Sequence, residues 1–370
     1  MKTYDAAVVG GGLVGAALAY GLARRGLSTA VVDEGDVAYR ASRGNFGLVW
    51  VQGKGLDFTP YADWTRASAE AWAGFARELL ELTGVDVAHR QPGGLEICVT
   101  EKDYAERADE LARLAEQTEG RFEYEMLDAR ALAELVSGAS EALAGAAFCP
   151  HDGHANPLSL LRALHQGLAL SGGTYLPEGP VTEVRSEGAS FALVTRGGVI
   201  SAGRVVLAAG LGSTALAPAL GLAAPLRPNR GQILVTERVA PFLNFPTLDL
   251  RQTAEGSLQL GGTHEDVDYD DGATGAAMTA IAKRAVTAFP FLRSVRVVRG
   301  WGALRIMTPD GAPIYDVSER HPGAYLAACH SGVTLAAVHA ERLAAWIAGA
   351  DPLPEVRPFS ARRFHVQAAA

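Results

Sequence analysis

Cysteine is scarce in this 370-residue chain: Cys98, Cys149 and Cys329 stand far apart, with no C-x-x-C pair among them. That spacing excludes an iron–sulfur site and a disulfide framework, and it fits a reducing cytosol. Lysine is almost as rare, at Lys2, Lys54, Lys102 and Lys283, and neither lysine nor arginine forms a run. With a net charge of −8 the chain has no basic face for nucleic-acid phosphates, so no nucleic acid is expected as a partner. His151, His154, His165 and His339 do not fall at metal-ligand spacing, and no metal is expected. The longest uncharged run, residues 205–226, matches a membrane span in length. Gly210, Gly212, Pro218 and Gly221 break it into strand, turn, helix and loop instead. No basic region precedes the first apolar run, so a signal peptide is not expected. Together these point to a cytoplasmic protein, with attachment to the inner membrane face through a partner left open.

What is present begins at once. Residues 6–35 read AAVVGGGLVGAALAYGLARRGLSTAVVDEG: an apolar strand, the glycines Gly10, Gly12 and Gly15, a helical run, and a second strand ending at Asp33. This is the βαβ dinucleotide fingerprint. Gly10 permits the tight turn, Gly12 lets backbone approach a pyrophosphate, and Gly15 lets helix pack on strand. The phosphates then lie over a helix N-terminus, where free N–H groups favour anions. Asp33 is placed to accept hydrogen bonds from ribose hydroxyls and to repel a 2′-phosphate, which argues against NADP. NAD and FAD stay open on these residues alone.

The chain is too long for one hydrophobic core, since cores stop growing near ~250–300 residues, so two lobes are expected. There is no internal repeat. Periodicity predicts helices over 61–83, 102–118, 157–170, 274–289 and 333–348, and strands over 95–100, 191–195, 204–208, 232–236, 257–262 and 295–299. These strands do not all fit one parallel sheet. Residues 179–213 look like a β-meander leading into a buried strand that ends on Gly210 and Gly212. Residues 327–349 look like a strand, a tight polar turn and a long helix. A nucleotide lobe assembled from three separated segments is unusual for NAD dehydrogenases and routine in flavoproteins.

GGGLVG with Asp33, RASRGNFG (40–47), NRGQ (229–232), LGGTHE (260–265), WGALRIMTPDGAPI (301–314) and HSGVTLA (330–336) follow one another in order. In these the chain resembles the FAD-dependent D-amino-acid oxidase and sarcosine/glycine oxidase superfamily, over essentially its whole length. It is most similar there to the subunits of D-hydroxyproline dehydrogenase, opine oxidase and hydrogen cyanide synthase. The resemblance implies an α/β fold: an FAD-binding Rossmann-type lobe like that of glutathione reductase, joined to an α+β substrate lobe on an antiparallel sheet. The expected division is 1–84, 150–225 and 315–370 for FAD, and 85–149 with 226–314 for substrate. FAD contacts are expected from Gly10, Gly12, Gly15, Asp33, Glu34, Ser42, Asn45, Gly47, Val181, Gly210, Gly302, Gly332, Val333 and Thr334. Gly332 and the helix from Val333 would aim backbone N–H groups at the flavin edge where charge builds on reduction.

Two departures from relatives matter. Ala303 stands where monomeric sarcosine oxidases carry the cysteine bonded to flavin, so non-covalent FAD is expected. Gln259 stands where those oxidases carry an oxygen-activating lysine, which favours a dehydrogenase, with Lys54, which follows the flavin-side loop, the one plausible substitute. Similar flavoenzymes clamp the substrate carboxylate with the arginine matching Arg305, a task suited to its bidentate fork. His264 matches a position facing the flavin, either steering an amine or simply hydrogen-bonded. Asp249 and Arg251 share one strand face, with cavity and solvent both open to them. Trp50 and Gln52 are further candidates for the pocket wall.

The expected activity is removal of hydride from the α-carbon of a small amino acid or secondary amine of D-amino-acid, D-hydroxyproline or opine type, giving an imine. An α-hydroxy-acid dehydrogenase and a flavin-bearing subunit of an electron-transfer complex are the alternatives. Oxygen, a quinone or a partner subunit is left open as electron acceptor, and so is a hetero-oligomer.

Overall fold

A computed structural model describes residues 2–35, 41–350 and 352–366; Arg40, the first residue of the 40–47 motif, lies outside them. The strand Lys2–Val9 is the middle of the largest sheet. Gly198–Leu207 and Thr29–Val32 flank it in parallel. Ala324–Ala328 extends one side in parallel and Thr174–Leu176 the other. Antiparallel Ile314–Val317 closes one edge. The hairpin of Glu183–Glu187 and Ser190–Thr195 pairs onto Gly198–Leu207, which is the meander expected over 179–213.

Period-two alternation divides the apolar residues of these strands between two cores. Ala6, Val8, Val31 and Val206 pack under the helix Leu13–Ala23 and the C-terminal helical segments. Ala7, Val9, Ala30, Val32, Val205 and Leu207 pack on the other side with Leu193 and Leu220. Burial on both faces explains why these runs are continuously apolar rather than alternating.

A second sheet is wholly antiparallel, in the order Leu250–Gln252, Ser257–Leu260, Arg227–Arg238, Val297–Met307. A third comprises Gly94–Cys98, Gly145–Cys149 and Glu125–Asp128. Both contribute to one core with the helix Gly275–Ala288, through Leu95, Leu127, Leu234, Leu258, Ile281 and Ala285. The expected helices are found at Thr59–Thr83, Glu101–Gln117, Pro157–Leu170 and Gly275–Ala288.

The helix expected over 333–348 is not continuous. Residues 332–335 form turns, Ala336–Val338 is helical, His339–Leu343 is a π turn and Ala344–Ala348 resumes the α-helix. A π turn frees carbonyls from the usual ladder, and the Ala340 carbonyl accepts instead from Arg25 at 3.0 Å. The approach is close: a Cβ on Gly21 would lie 2.2 Å from the same oxygen. The strand expected over 295–299 runs on as Val297–Met307, which places Arg305 inside the second sheet.

Candidate active site

The turn between the first strand and the first helix is built by steric necessity. Gly10 has φ +104°, and a Cβ there would lie 2.5 Å from the Ala208 carbonyl. A Cβ on Gly15 would lie 1.9 Å from the Gly10 carbonyl oxygen, so the helix sits directly on the turn. The Asp33 carboxylate accepts from the Gly11 N–H at 2.6 Å, the Gly35 N–H at 2.9 Å and the Tyr175 hydroxyl at 2.9 Å. His165 contacts the Gly11 carbonyl at 2.8 Å. The Ser42 hydroxyl accepts from the Leu13 N–H at 2.9 Å, and a Cβ on Gly12 would come within 2.8 Å of it.

These groups border a cleft of about 410 Å³. Gly10, Gly12, Asp33, Glu34, Ser42, Val181 and Gly210 all line it. One wall is therefore bare backbone at a helix N-terminus and the far end carries a carboxylate, which fits the pyrophosphate and ribose of a dinucleotide. A second cavity of about 540 Å³ shares Ala41, Leu304 and Ile306 with the first. The shared residues set the two cavities side by side, the arrangement an extended dinucleotide with a reaction chamber at its end requires.

The second cavity holds the charged groups. Arg305 reaches it from the long strand of the second sheet, opposite Asn229 in register. Its guanidinium donates to the Asn229 side-chain oxygen at 3.1 Å and the Thr263 carbonyl at 2.9 Å. Gly231 makes room for it, since a Cβ there would lie 2.6 Å from the guanidinium. Among the described residues no carboxylate forms an ion pair with Arg305. Burial lowers its pKa, but arginine starts high enough to keep its charge.

His264 lines the same cavity, and its pKa is lowered by burial first and by the fields of Arg305 and Lys54 second, so it is neutral near pH 7. Asp249 also lines it, paired with Arg284 at 2.8 Å, and burial raises its pKa. Glu96 does likewise, paired with Arg107 at 2.5 Å. Lys54 projects into the cavity from a loop bracketed by Gly53 (φ +72°) and Gly55 (φ +79°). A Cβ on Gly55 would lie 2.3 Å from the Ala62 nitrogen. The buried Asp152 carboxylate fixes this loop by accepting from the Val51 N–H at 2.5 Å and the Gln52 side chain at 2.6 Å.

Of the remaining expected contacts, Asn45, Val333 and Thr334 line the second cavity. Asn45 accepts from the Gly47 N–H at 2.7 Å, while the Thr334 hydroxyl accepts from the Trp50 N–H at 3.1 Å. Four of the expected glycines are not among the residues lining either cavity. Gly302 points away because strand alternation turns Ala303 and Arg305 inward; a Cβ on it would meet the Asp271 carbonyl at 2.5 Å. Gly332 lies in the turn between Ser331 and Val333, where a Cβ would meet Leu13 and Val14 of the first cleft's wall. Gly47, at φ +94°, packs on the Ala155 carbonyl, and Gly15 works through helix packing alone.

Trp50 is part of the wall, whereas Gln52 is held beneath it by Asp152. Arg251 and Asp249 do not share a fate: Arg251 is buried, donating to the Phe46 carbonyl at 2.9 Å and to Gln259 at 2.5 Å. Asp310 ties its turn to Arg363 at 2.7 Å and so is structural. Glu96 and Arg284 had no signal in the sequence, because each is an ordinary charged residue in an amphipathic element. His330 had a motif but no assigned role; it contacts Lys54.

Replacing Asp33 by alanine is expected to weaken dinucleotide binding about 10- to 100-fold. Charge-assisted hydrogen bonds are worth roughly 1.5–3 kcal/mol, at ~1.4 kcal/mol per decade. Titration of the apoprotein with FAD measures it, and an unchanged affinity removes Asp33 from the site.

Comparison with known proteins agrees with this geometry. The model of the family described as "DAO: FAD dependent oxidoreductase" matches residues 5–346. An opine oxidase subunit of Agrobacterium tumefaciens (strain Ach5) is 42% identical over 370 residues, covering 100% of both chains. The HcnC subunit of hydrogen cyanide synthase from Pseudomonas aeruginosa is 29% identical, covering 100% of this chain and 98% of its own. The crystal structure of glycine oxidase from Geobacillus kaustophilus superposes with a TM-score of 0.89 at 26% identity, over 97% of this chain and 98% of that one. FAD is thus the cofactor, and the chain belongs to the family of FAD-dependent oxidoreductases.

Proposed function

We propose that the protein oxidises the C–N bond of a carboxylate-bearing amine, an amino acid or an opine-type secondary amine, to an imine that water hydrolyses. The observation that carries this reading is Arg305: a guanidinium facing the second cavity, held by two neutral acceptors and paired with no carboxylate among the described residues. A desolvated cation of this kind calls for an anion, and the fork of arginine suits a carboxylate. Bound FAD supplies the two-electron oxidation. The chain's own residues bind and orient. Arg305 holds the carboxylate, neutral His264 lies beside it as a polar group for the amine, and Trp50, Phe46 and Ile306 exclude water.

Ala303 at the cavity wall offers no thiol, so FAD is held non-covalently and leaves with denaturation. The lobes divide at 1–84, 150–225 and 315–370 for FAD and 85–149 with 226–314 for substrate; the core shared by the second and third sheets supports that division. Two relatives named as subunits support a hetero-oligomer. No helix among the described residues is long and apolar enough to cross a membrane. A cytoplasmic location, with membrane contact made through a partner, belongs to the same proposal.

Anaerobic mixing with a substrate panel tests the reading: amino acids and secondary amines should bleach the flavin. Bleaching by α-hydroxy acids alone, or by nothing in the panel, overturns it. Gln259 is occupied by Arg251 and lies outside the cavity wall, so it brings no cation to the ring. We therefore expect the reduced flavin to react more slowly with oxygen than with a quinone or dye. Stopped-flow reoxidation measures both, and peroxide formation as fast as dye reduction makes the protein an oxidase.

A further inference from the structure

We propose that Lys54 accepts the proton of the substrate's ammonium group and so delivers the neutral amine that C–N oxidation needs. This rests on the amine reading above. An aliphatic ammonium, with a pKa of about 10 like that of a lysine side chain, has no lone pair with which to form a C=N bond. The oxidation therefore needs a proton acceptor within reach of the bound amine.

Lys54 is built for that role. Its Nζ lies 3.0 Å from His330 Nε2, and the His330 ring hydrogen-bonds with the Gly311 backbone. The Ser331 hydroxyl lies 3.3 Å from the same Nε2, and with that nitrogen unprotonated the neutral ring accepts from Lys54. A neutral Lys54 then donates one N–H to His330 and keeps its lone pair for the cavity. Arg305 acts to lower the Lys54 pKa and Asp152, Cys329 and Glu96 act to raise it, while His264 and His330 share the cavity with that side chain. Among the described residues none of these carboxylates reaches it as an ion pair. Burial, followed by the charge of Arg305, lowers its pKa to about 8.

The balance is simple. One proton passes from the substrate N–H to Lys54 Nζ, and the freed lone pair becomes the second C–N bond as the α-hydrogen leaves with its electron pair for the oxidant that FAD provides. Lys54 then returns the proton to water.

Two measurements test this on the holoprotein. Reductive ¹³C-methylation labels the four lysines and the α-amino group, which itself titrates at ~8; a further resonance should titrate near pH 8, well below the other lysines, and be missing from Lys54→Met. All four lysine resonances titrating at ~10 would overturn the proposal. The pH profile of flavin reduction by an amino acid is the second. In Lys54→Met the acid limb should move up to the substrate amine's own pKa, with a loss on the order of 100-fold at pH 7 that is recovered in alkali. Lys54→Arg should not rescue, because a guanidinium stays protonated. An equal loss at every pH means a structural role and overturns the proposal. If amines bleach the wild type but its acid limb is unchanged in Lys54→Met, only this inference falls. If no amine bleaches the wild type, the C–N reading falls and the inference falls with it.

Discussion

Arg305→Ala is expected to lower kcat/KM for a carboxylate-bearing amine by roughly 30-fold to several-thousand-fold. Removing one partner of a desolvated charge pair costs about 2–5 kcal/mol, and each ~1.4 kcal/mol is a decade of rate. The geometry supports the upper part of that range. The guanidinium is fixed before substrate arrives, by Asn229 and the Thr263 carbonyl, and Gly231 clears the space in which it lies. Arg305→Lys should recover only part, because an ammonium cannot reproduce the fork or reach both acceptors. Amines without a carboxylate never use the contact, so their slower turnover should be unaffected. Steady-state kinetics with a matched pair of substrates decides it. A change within about threefold for the amino acid, or equal harm to both substrates, makes Arg305 structural. Arg251 does not then inherit the role, since it is 3% exposed and committed to Phe46 and Gln259.

Gly15→Ala should abolish FAD binding while leaving most of the fold in place. The added methyl would sit 1.9 Å from the Gly10 carbonyl oxygen and 3.2 Å from a Val8 methyl. Backbone on the first side and a buried strand on the second leave no flexible atom to yield. The helix Leu13–Ala23 must lift from the turn, at a strain cost of about 1–3 kcal/mol. Its N-terminal N–H groups then lose their aim at the pyrophosphate. Two charge-assisted hydrogen bonds at roughly 1.5–3 kcal/mol each correspond to about 100- to 10,000-fold in affinity at ~1.4 kcal/mol per decade. The protein should purify colourless, with its far-ultraviolet circular dichroism close to wild type. Gly74, an exposed helical glycine whose Cβ position is open, is the control, because its substitution strains no backbone and leaves the turn untouched. A yellow Gly15→Ala protein with normal flavin content would show that helix packing does not set the turn.

Residues 6–35 alone determined the dinucleotide site, because a βαβ unit is local. Its turn, the packing of Gly15 on the Gly10 carbonyl and the terminal carboxylate all fall within thirty residues, and each demands a residue type that leaves a mark in the sequence. The long helices were legible for the same reason, with 3.6-residue periodicity and stops such as Gly84 at φ +69°. Tertiary structure alone decided the chamber. Lys54, Glu96, Asp249, Arg284, Arg305 and His330 converge there from separate elements, and a single charged residue on an amphipathic helix or loop reads the same whether it meets solvent or a cavity. Strand phase was the other hidden variable. Gly302 and Arg305 share one motif, yet a period of two turns Gly302 out and Arg305 in, and the second sheet's pairing fixes that phase. The π turn at His339–Leu343 was invisible too, because it depends on carbonyl partners that Arg24 and Arg25 bring from over three hundred residues away.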